Sequence, residues 1–202
     1  MNADGSGETQ LTTGRAVIPF SGKPAWSPNG TTIAYADWTS GHQGIFLINA
    51  DGSGVTRLTD GTDAGAAWSP DGTKIAFVRT LVGRGDDVYV VNTDGSGLTR
   101  LTRDPGDSRH YLAWSPDGTK ITFELGGNIY LVNGNGTGLT QLTFGPRADL
   151  PAFRQDGSKI AYYLSDVTQN QLYLMNLDGS GETPLSPAWS LGRPSSPAAW
   201  RP

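Results

Sequence analysis

Several residue types and patterns are missing from this chain, and each absence excludes a class of site. There is no cysteine, so disulfides, thiolate metal sites and thiol catalysis are excluded. No apolar run approaches the roughly 20 residues of a transmembrane helix, which predicts no membrane insertion. The net charge of −4 comes with no basic stripe, so no nucleic-acid partner is expected. The N-terminus lacks the basic and apolar regions of a signal peptide, and it begins on the end of a repeat, as in a mature form or an excised piece.

Helical periodicity is missing as well. No segment keeps apolar residues at helical spacing over three turns. The chain has instead 28 glycines and 13 prolines among its 202 residues. This composition is typical of many short strands joined by tight turns.

One eleven-residue pattern recurs along the chain. Residues 67–77 read AWSPDGTKIAF and return nearly unchanged at 113–123. Looser copies lie at 25–35 and 152–162, and the chain ends on the opening of a fifth copy at 199–202. An apolar segment followed by DGSG and LT, or a close variant, comes after each complete copy. A period of about 42 residues with two turn motifs is that of a β-propeller blade.

Each unit is predicted to form four antiparallel strands. In the second unit these are residues 66–69, 74–78, 87–92 and 98–102. Pro70, Asp71 and Gly72 suit the first turn, because proline presets φ, aspartate binds its own backbone and glycine accepts a positive φ. In such a meander the turns that join the first two and the last two strands lie at one end of the sheet, here termed the turn face. The other connections lie at the opposite end, the loop face.

The predicted fold class is therefore all-β, a β-propeller of four-stranded antiparallel blades within a single domain, 1–202. Four complete blades are expected at about 23–59, 65–102, 111–143 and 150–186. A partial fifth unit is expected from the two termini, 1–12 plus 187–202. Its two middle strands are missing, which leaves a closed disc and an open or oligomer-completed disc as alternatives. A homo-oligomer formed through the incomplete terminal blade is one form of the second alternative.

Differences between the units concentrate on the loop face, and binding residues tend to lie on loops held by a rigid scaffold. The predicted loops on this face include residues 37–43, 60–65, 80–86 and 144–149. The ligand-binding candidates on the loop face are Asp37, Trp38, His42, Arg84, Asp86, His110, Tyr111, Arg147 and Asp149. Trp38 could offer a stacking surface for a sugar or a partner side chain, with partly buried packing as the simpler interpretation.

Catalysis is not predicted. His42 and His110 are the only histidines, and either could support acid–base chemistry if it were paired with a carboxylate or serine. They fall on separate units, and no G-x-S-x-G nucleophile motif accompanies them. No catalytic residue is therefore assigned.

A calcium site on the loop face is a further hypothesis, because calcium is bound by oxygen ligands at about 2.3–2.6 Å. The metal candidates are Asp60, Asp63, Asp104 and Asp107, with solvated loop charges as the simpler interpretation. The aspartates of the turn motifs, such as Asp71, are interpreted as Asx turns instead. No other cofactor is predicted.

The SPDG and DGSG–LT motifs resemble those of the TolB-type propeller repeat family, which is related to the WD repeat. The resemblance covers nearly the whole chain and departs in the fourth unit, where Phe153, Arg154 and Gln155 replace Trp-Ser-Pro. It implies a periplasmic or extracellular location. The α/β domain that precedes the propeller in TolB has no counterpart here, so a translocation role is not carried over.

The family includes scaffolds, propeller domains of proteases and glycan-degrading lyases, so the fold alone does not select a function. The expected function is a non-catalytic scaffold that binds a protein or small ligand through the loop face. One alternative is a glycan- or peptide-processing propeller enzyme. The other is a propeller module excised from a larger protein.

Overall fold

The protein is described here from a computed structural model, in residues 6–12, 23–39, 41–103, 111–145, 147–165 and 170–185. The described residues form sixteen β-strands in four sheets. They contain no helix that is long and apolar enough to cross a membrane. The chain is therefore all-β, as predicted.

The first two sheets each take four strands in chain order, paired antiparallel. Blade 1 comprises β1 (Ala25–Trp26), β2 (Thr32–Asp37), β3 (Gly44–Asn49) and β4 (Thr56–Arg57). Blade 2 comprises β5 (Asp63–Trp68), β6 (Lys74–Leu81), β7 (Gly85–Asn92) and β8 (Thr99–Arg100).

The other two sheets repeat the same meander. Blade 3 comprises β9 (Leu112–Trp114), β10 (Lys120–Leu125), β11 (Asn128–Asn133) and β12 (Thr140–Gln141). Blade 4 comprises β13 (Arg147–Phe153), β14 (Lys159–Ser165), β15 (Asn170–Asn176) and β16 (Thr183–Pro184). The blades of the predicted propeller are thus present as four antiparallel sheets.

The core lies between the sheets rather than within any one of them. Between blades 1 and 2, Ala34 and Ile45 pack against Ile75, Phe77 and Val91, all of them buried. Similar apolar clusters join blades 2 and 3 and blades 3 and 4. Each cluster draws buried apolar side chains from both blades, as close-packed protein interiors do.

Two further contacts repeat at these joints. The indole N–H of Trp68 donates to the Ala25 carbonyl at 3.0 Å, and that of Trp114 donates to the Ala67 carbonyl at 3.1 Å. On the turn face, the proline of one blade lies beside the turn glycine of the next. A Cβ built on that glycine would lie 3.7 Å from the proline Cδ in each of the pairs Pro28–Gly72, Pro70–Gly118 and Pro116–Gly157.

The marker residues of blades 1 and 4 differ from Trp68 and Trp114. Trp26 holds the same repeat position in blade 1, but its side chain is 57% exposed. The reason is that the described residues place no blade before blade 1. Phe153 holds the tryptophan position in blade 4 and is buried, yet it has no N–H to donate to Ala113.

The predicted strand bounds were wrong at the loop face. The connections expected at 60–65 and 144–149 are partly strand, since β5 begins at Asp63 and β13 at Arg147. The loop expected at 80–86 shortens to a tight turn, because β6 continues to Leu81 and β7 begins at Gly85. The polar residues in these segments are paired across the strands, and their polarity alone suggested loops.

Candidate functional site

On the turn face, each aspartate accepts hydrogen bonds from residues of its own turn. Asp71 accepts hydrogen bonds from Ser69 Oγ at 2.6 Å and from the Thr73 backbone N–H at 3.0 Å. These bonds hold the pKa of Asp71 below its usual value, with the Ser69 hydroxyl as the largest cause. The same Asx geometry recurs at Asp51, Asp94, Asp117, Asp156 and Asp178. The interpretation of these residues as turn formers is confirmed. Their carboxylates bind groups within their own turns.

The loop face between blades 1 and 2 contains a buried ion pair. Asp63 is fully buried and accepts from Arg79 Nε at 2.6 Å and Arg79 Nη2 at 2.8 Å. Thr59 Oγ1 donates to the same carboxylate at 2.5 Å. The Arg79 guanidinium also lies 5.4 and 5.2 Å from the ring centroids of Phe77 and Tyr89. Asp63, a metal candidate by sequence, is therefore bound to an arginine and forms a structural link between β5 and β6.

Trp38 is tied to this link. Its indole N–H donates to the Asp63 backbone carbonyl at 2.7 Å, and its side chain is half-buried. Asp37, the preceding residue, accepts from the Thr39 backbone N–H at 2.8 Å. His42 is exposed, and its backbone N–H donates to the Thr39 carbonyl at 2.8 Å. These three candidates thus lie at the end of β2 and between β2 and β3, and Trp38 bonds to the buried Asp63.

The other candidate residues of blades 1 and 2, Asp60, Arg84 and Asp86, do not share a binding partner. Asp60 is 88% exposed and pairs with Arg57 Nη2 at 2.6 Å. Asp86 is buried and accepts from Thr80 Oγ1 at 2.6 Å, whereas Arg84 is exposed. No group of three or more His, Asp or Glu side chains in the described residues is arranged to hold a metal ion.

Blade 4 carries the other cluster, at the start of β13. Arg147 Nε lies 3.4 Å from Asp149 Oδ2, and Asp149 is 2% exposed. Ser165 on β14 lies directly opposite Arg147 in the strand pairing and, like Asp149, is buried. Within the described residues, the buried Arg147 Nε and the buried Ser165 Oγ have no hydrogen-bond partner. Buried polar groups are usually hydrogen-bonded, so this pair is an exception in blade 4.

Backbone strain lies in the same strand. Leu150 is 2% exposed and has a φ of 54°, in the left-handed region that costs a non-glycine residue about 1–2 kcal/mol. It sits in a bulge of β13, and the matching bulge of β5 has Gly65 at a φ of 65°. Strain of this kind often collects at binding sites. Blade 4 therefore departs from the repeat where its unsatisfied donors are found.

Four predicted site residues lie at or before the start of blade 3. His110, Asp104 and Asp107 lie outside the described residues. Tyr111, just before β9, is half-buried. The predicted candidates therefore divide into a blade 1–2 group and the pair Arg147 and Asp149, and the described residues do not bring the two groups into one site.

Sequence reasoning missed Ser165, Arg79 and Leu150. Aligning the strand that precedes each Trp or Phe marker would have found Leu150, because it replaces a glycine. Two open grooves on the turn face were also missed. One, of about 560 Å³, lies between blades 1 and 2 and includes Leu47 and Trp68. The other, of about 600 Å³, lies between blades 2 and 3 and includes Val90 and Trp114.

Similar folds occur in proteins of different kinds. A putative TolB from Agrobacterium tumefaciens is 23% identical, with a TM-score of 0.70 over 81% of this chain and 64% of that one. TolB from Acinetobacter baumannii is also 23% identical, with a TM-score of 0.64 over 82% of this chain and 43% of that one. An oligogalacturonate lyase from Vibrio parahaemolyticus is 15% identical, with a TM-score of 0.61 over 81% of this chain and 53% of that one.

These similarities establish the fold, and they include both TolB proteins and an enzyme. The chain spans less than two thirds of each of these three structures. A comparison with curated protein sequences gave no match. The family model described as TolB beta propeller domain matches residues 9–125, more than half of the sequence. The chain therefore belongs to the TolB beta propeller domain family.

Proposed function

We propose that this protein is a non-catalytic scaffold that binds an extended polypeptide or another polar ligand through its loop face. The observation that carries the proposal is a pair of buried donors at the loop-face end of blade 4, Arg147 Nε and Ser165 Oγ, which have no acceptor among the described residues. A donor that has lost water without gaining an acceptor costs about 1–3 kcal/mol, which a ligand acceptor would recover.

The chemistry of this edge favours a neutral acceptor. Asp149 lies beside Arg147 and offsets the guanidinium charge, so the edge has no net positive charge to attract an anion. A backbone carbonyl or a sugar hydroxyl can accept from both donors without adding charge. The strained Leu150 lies three residues after Arg147 in the same strand. We favour a polypeptide, since its backbone offers a neutral carbonyl acceptor at every residue.

The proposed site needs no cofactor and no catalytic residue. The family resemblance supports a periplasmic or extracellular setting for it. An enzyme remains the competing hypothesis, with His42 and His110 as its candidate acid–base residues.

The test begins with selection of peptides on the purified chain from a random displayed library. The affinity of single synthetic peptides is then measured by calorimetry. Arg147→Ala is expected to weaken binding roughly tenfold to a hundredfold, because a hydrogen bond to a charged group contributes about 1.5–3 kcal/mol. Arg154→Ala is the matched control: it removes an arginine from the same blade, on the turn face, where Arg154 pairs with Asp156 at 3.4 Å.

Three outcomes would count against the proposal. Equal binding by Arg147→Ala and the parent chain would place the site elsewhere. Failure to select any peptide would remove the proposed polypeptide-binding function. Turnover of a glycan or peptide panel that is abolished by His42→Ala or His110→Ala would replace it with the enzyme hypothesis.

A further inference from the structure

Gly134 is a glycine that its backbone conformation does not require. It lies directly after β11, and it does not have the positive φ of the turn glycines that follow it. Its backbone N–H donates to the Thr119 carbonyl at 2.9 Å, as that of Thr93 donates to the Thr73 carbonyl at 3.0 Å in blade 2. Each of the other blades has a side chain at this position, where the residue is Ala50, Thr93 or Leu177. The absence of a side chain in blade 3 therefore needs another explanation.

The missing side chain leaves space beside Trp114. A Cβ built on Gly134 would lie 3.1 Å from Trp114 Cζ3 and 3.5 Å from Trp114 Cη2. The first distance is shorter than the optimal separation of two carbon atoms, which is about 3.5–4.0 Å. In blade 4, by contrast, Leu177 packs against the apolar cluster that includes Phe153. Blade 3 thus leaves uncovered a part of its aromatic ring that a side chain at position 134 would cover.

This space belongs to a groove on the turn face. Trp114 and Gly134 both line the groove of about 600 Å³ between blades 2 and 3. Small-molecule sites have volumes of about 300–1,000 Å³, so the groove is of a suitable size. The indole N–H of Trp114 is bonded to the Ala67 carbonyl, which fixes the plane of the ring before a ligand arrives. A fixed ring loses little conformational freedom on binding.

The groove is bordered by exposed polar side chains, and none of its described lining residues has a carboxylate. Thr99 and Thr119 each donate a hydroxyl proton to a group two residues away, and their hydroxyl oxygens can also accept. Asn135 accepts through its Oδ1 within its own turn, and its amide N–H₂ is a donor. The ammonium group of Lys74 is a further donor. The groove thus combines one aromatic ring with hydrogen-bond donors and acceptors.

We propose that this groove is a glycan-binding site in which one pyranose unit stacks on the Trp114 ring. A pyranose has an apolar C–H face that suits an aromatic ring, and its hydroxyl groups both donate and accept hydrogen bonds. The groove between blades 1 and 2 is not equivalent, because Thr93 takes the place of Gly134 and Asp71 is part of its lining. We therefore expect the glycan in the groove between blades 2 and 3 and not in the other one.

The test begins with the purified full chain on an array of neutral, amino-sugar and acidic oligosaccharides. The oligosaccharide that binds best is then titrated into the ¹⁵N-labelled chain, and the tryptophan indole signals are followed by NMR. Trp114→Phe assigns the Trp114 signal by its loss. The Trp114 signal is expected to shift with added oligosaccharide, while the Trp68 signal stays in place.

Gly134→Thr introduces the side chain that blade 2 carries at the same position. It is expected to weaken binding by about tenfold, the upper range for the loss of a stacked contact with an aromatic ring. Ala50→Thr is the matched control, because it introduces the same side chain at the same position of blade 1, which is not part of this groove. It is expected to leave the affinity unchanged.

Thermal unfolding shows whether each variant is folded. If Gly134→Thr is not folded, Lys74→Thr takes its place, because threonine holds the corresponding position in blade 1 as Thr32. Lys74→Thr is expected to weaken binding about threefold to tenfold through the loss of one hydrogen bond.

Four results would overturn the proposal. These are no binding to any oligosaccharide on the array, unchanged affinity in the folded groove variant, a shift of the Trp68 signal in place of the Trp114 signal, and a Trp114 signal that shifts with protein concentration in the absence of glycan. The last result would identify a second copy of the chain as the occupant. Arg147→Ala is expected to bind glycan like the parent chain, so the outcome is independent of the proposed polypeptide binding on the loop face.

Discussion

The two faces of these blades treat acidic residues in opposite ways. On the turn face, each aspartate of the repeated turns binds the backbone and hydroxyl groups of its own turn, as Asp71 and Asp94 do. On the loop face, Asp63, Asp87 and Glu124 are buried, and each binds a different partner. Asp63 binds Arg79, Asp87 binds Arg100 at 2.5 Å, and Glu124 accepts from the Gly127 backbone N–H at 2.7 Å.

This difference separates the repeated turn face from the loop face, which varies between blades. A turn that satisfies its own aspartate depends on nothing outside itself, so it can be copied from blade to blade. Asp63 and Asp87 each depend on an arginine of a neighbouring strand in one register, so these pairs belong to their own blade. The turn face is therefore expected to tolerate exchanges between repeats, and the loop face is not.

The largest expected effect is the loss of the buried ion pair on the loop face. Asp63→Ala leaves the Arg79 guanidinium without its carboxylate and is expected to lower the free energy of unfolding by about 3–5 kcal/mol. Urea denaturation measures this loss. Asp60→Ala removes an exposed partner of Arg57 and should cost less than about 1 kcal/mol. Similar losses in the two variants would contradict the contrast between buried and exposed acids.

A repeat exchange on the loop face comes next. Asp87 follows the first residue of β7 by two positions and corresponds to Gly44 in blade 1. Gly44 has a φ of 157°, and a Cβ there would lie 2.2 Å from the Thr59 carbonyl oxygen. Gly44→Asp is therefore expected to destabilise the protein by roughly 1–3 kcal/mol or more in thermal or urea unfolding. Gly41 has a φ of 83° but lies in open space, so Gly41→Asn is the control and should cost less than Gly44→Asp, because asparagine tolerates a positive φ.

Acid should weaken the turn face through its aspartates. Hydrogen bonds from Ser96, first from its hydroxyl and then from its backbone N–H, lower the pKa of Asp94. A folded pKa below the unfolded value of about 3.9 gives stability that is present at neutral pH and is lost as the pH falls through the folded pKa. Asp94→Asn keeps the Asx turn, as Asn135 does naturally in blade 3, but removes this titration.

Urea unfolding of both proteins between neutral and acidic pH measures the effect. Asp94→Asn is expected to have a shallower loss of stability on acidification than the parent chain. Parallel pH profiles would mean that the turn aspartates do not contribute to acid sensitivity.

The smallest effect is expected for an exchange between turns. Thr73 and Ser158 hold the same position in blades 2 and 4, and each donates its backbone N–H and hydroxyl to the turn aspartate. Thr73→Ser should therefore change the free energy of unfolding by less than about 0.5 kcal/mol. A loss above about 1 kcal/mol would show that even the turn face is specific to each blade.

The sequence predicted the turn face well because its determinants are local. Proline, aspartate and glycine in Pro70–Asp71–Gly72 act within a few residues, and the strands between the turns alternate or are uniformly apolar. Because the motif occurs in four complete copies, each copy supported the same assignment of strands and turns. The order of strands in each blade followed from the short connections between them.

The loop face could be predicted only in outline. Asp63 and Arg79 lie opposite each other on strands that are separated by a turn motif. Their pairing depends on a bulge in β5, and no local sequence pattern predicts that bulge. Sequence polarity suggested a loop where the structure has a paired strand. The importance of Ser165 depends on its position opposite Arg147, which is a property of register and not of composition.

The contact between a proline and the next turn glycine has a consequence for how such chains change in length. Pro70 belongs to the repeat that also contains Gly72, so each repeat carries both halves of the joint that links it to its neighbours. A duplicated repeat inserted into the series would bring a complete joint with it, and a deleted one would remove a complete joint. Genes of this type can therefore gain or lose whole blades without evolving a new interface, except after blade 4, where Gln155 stands in place of the proline.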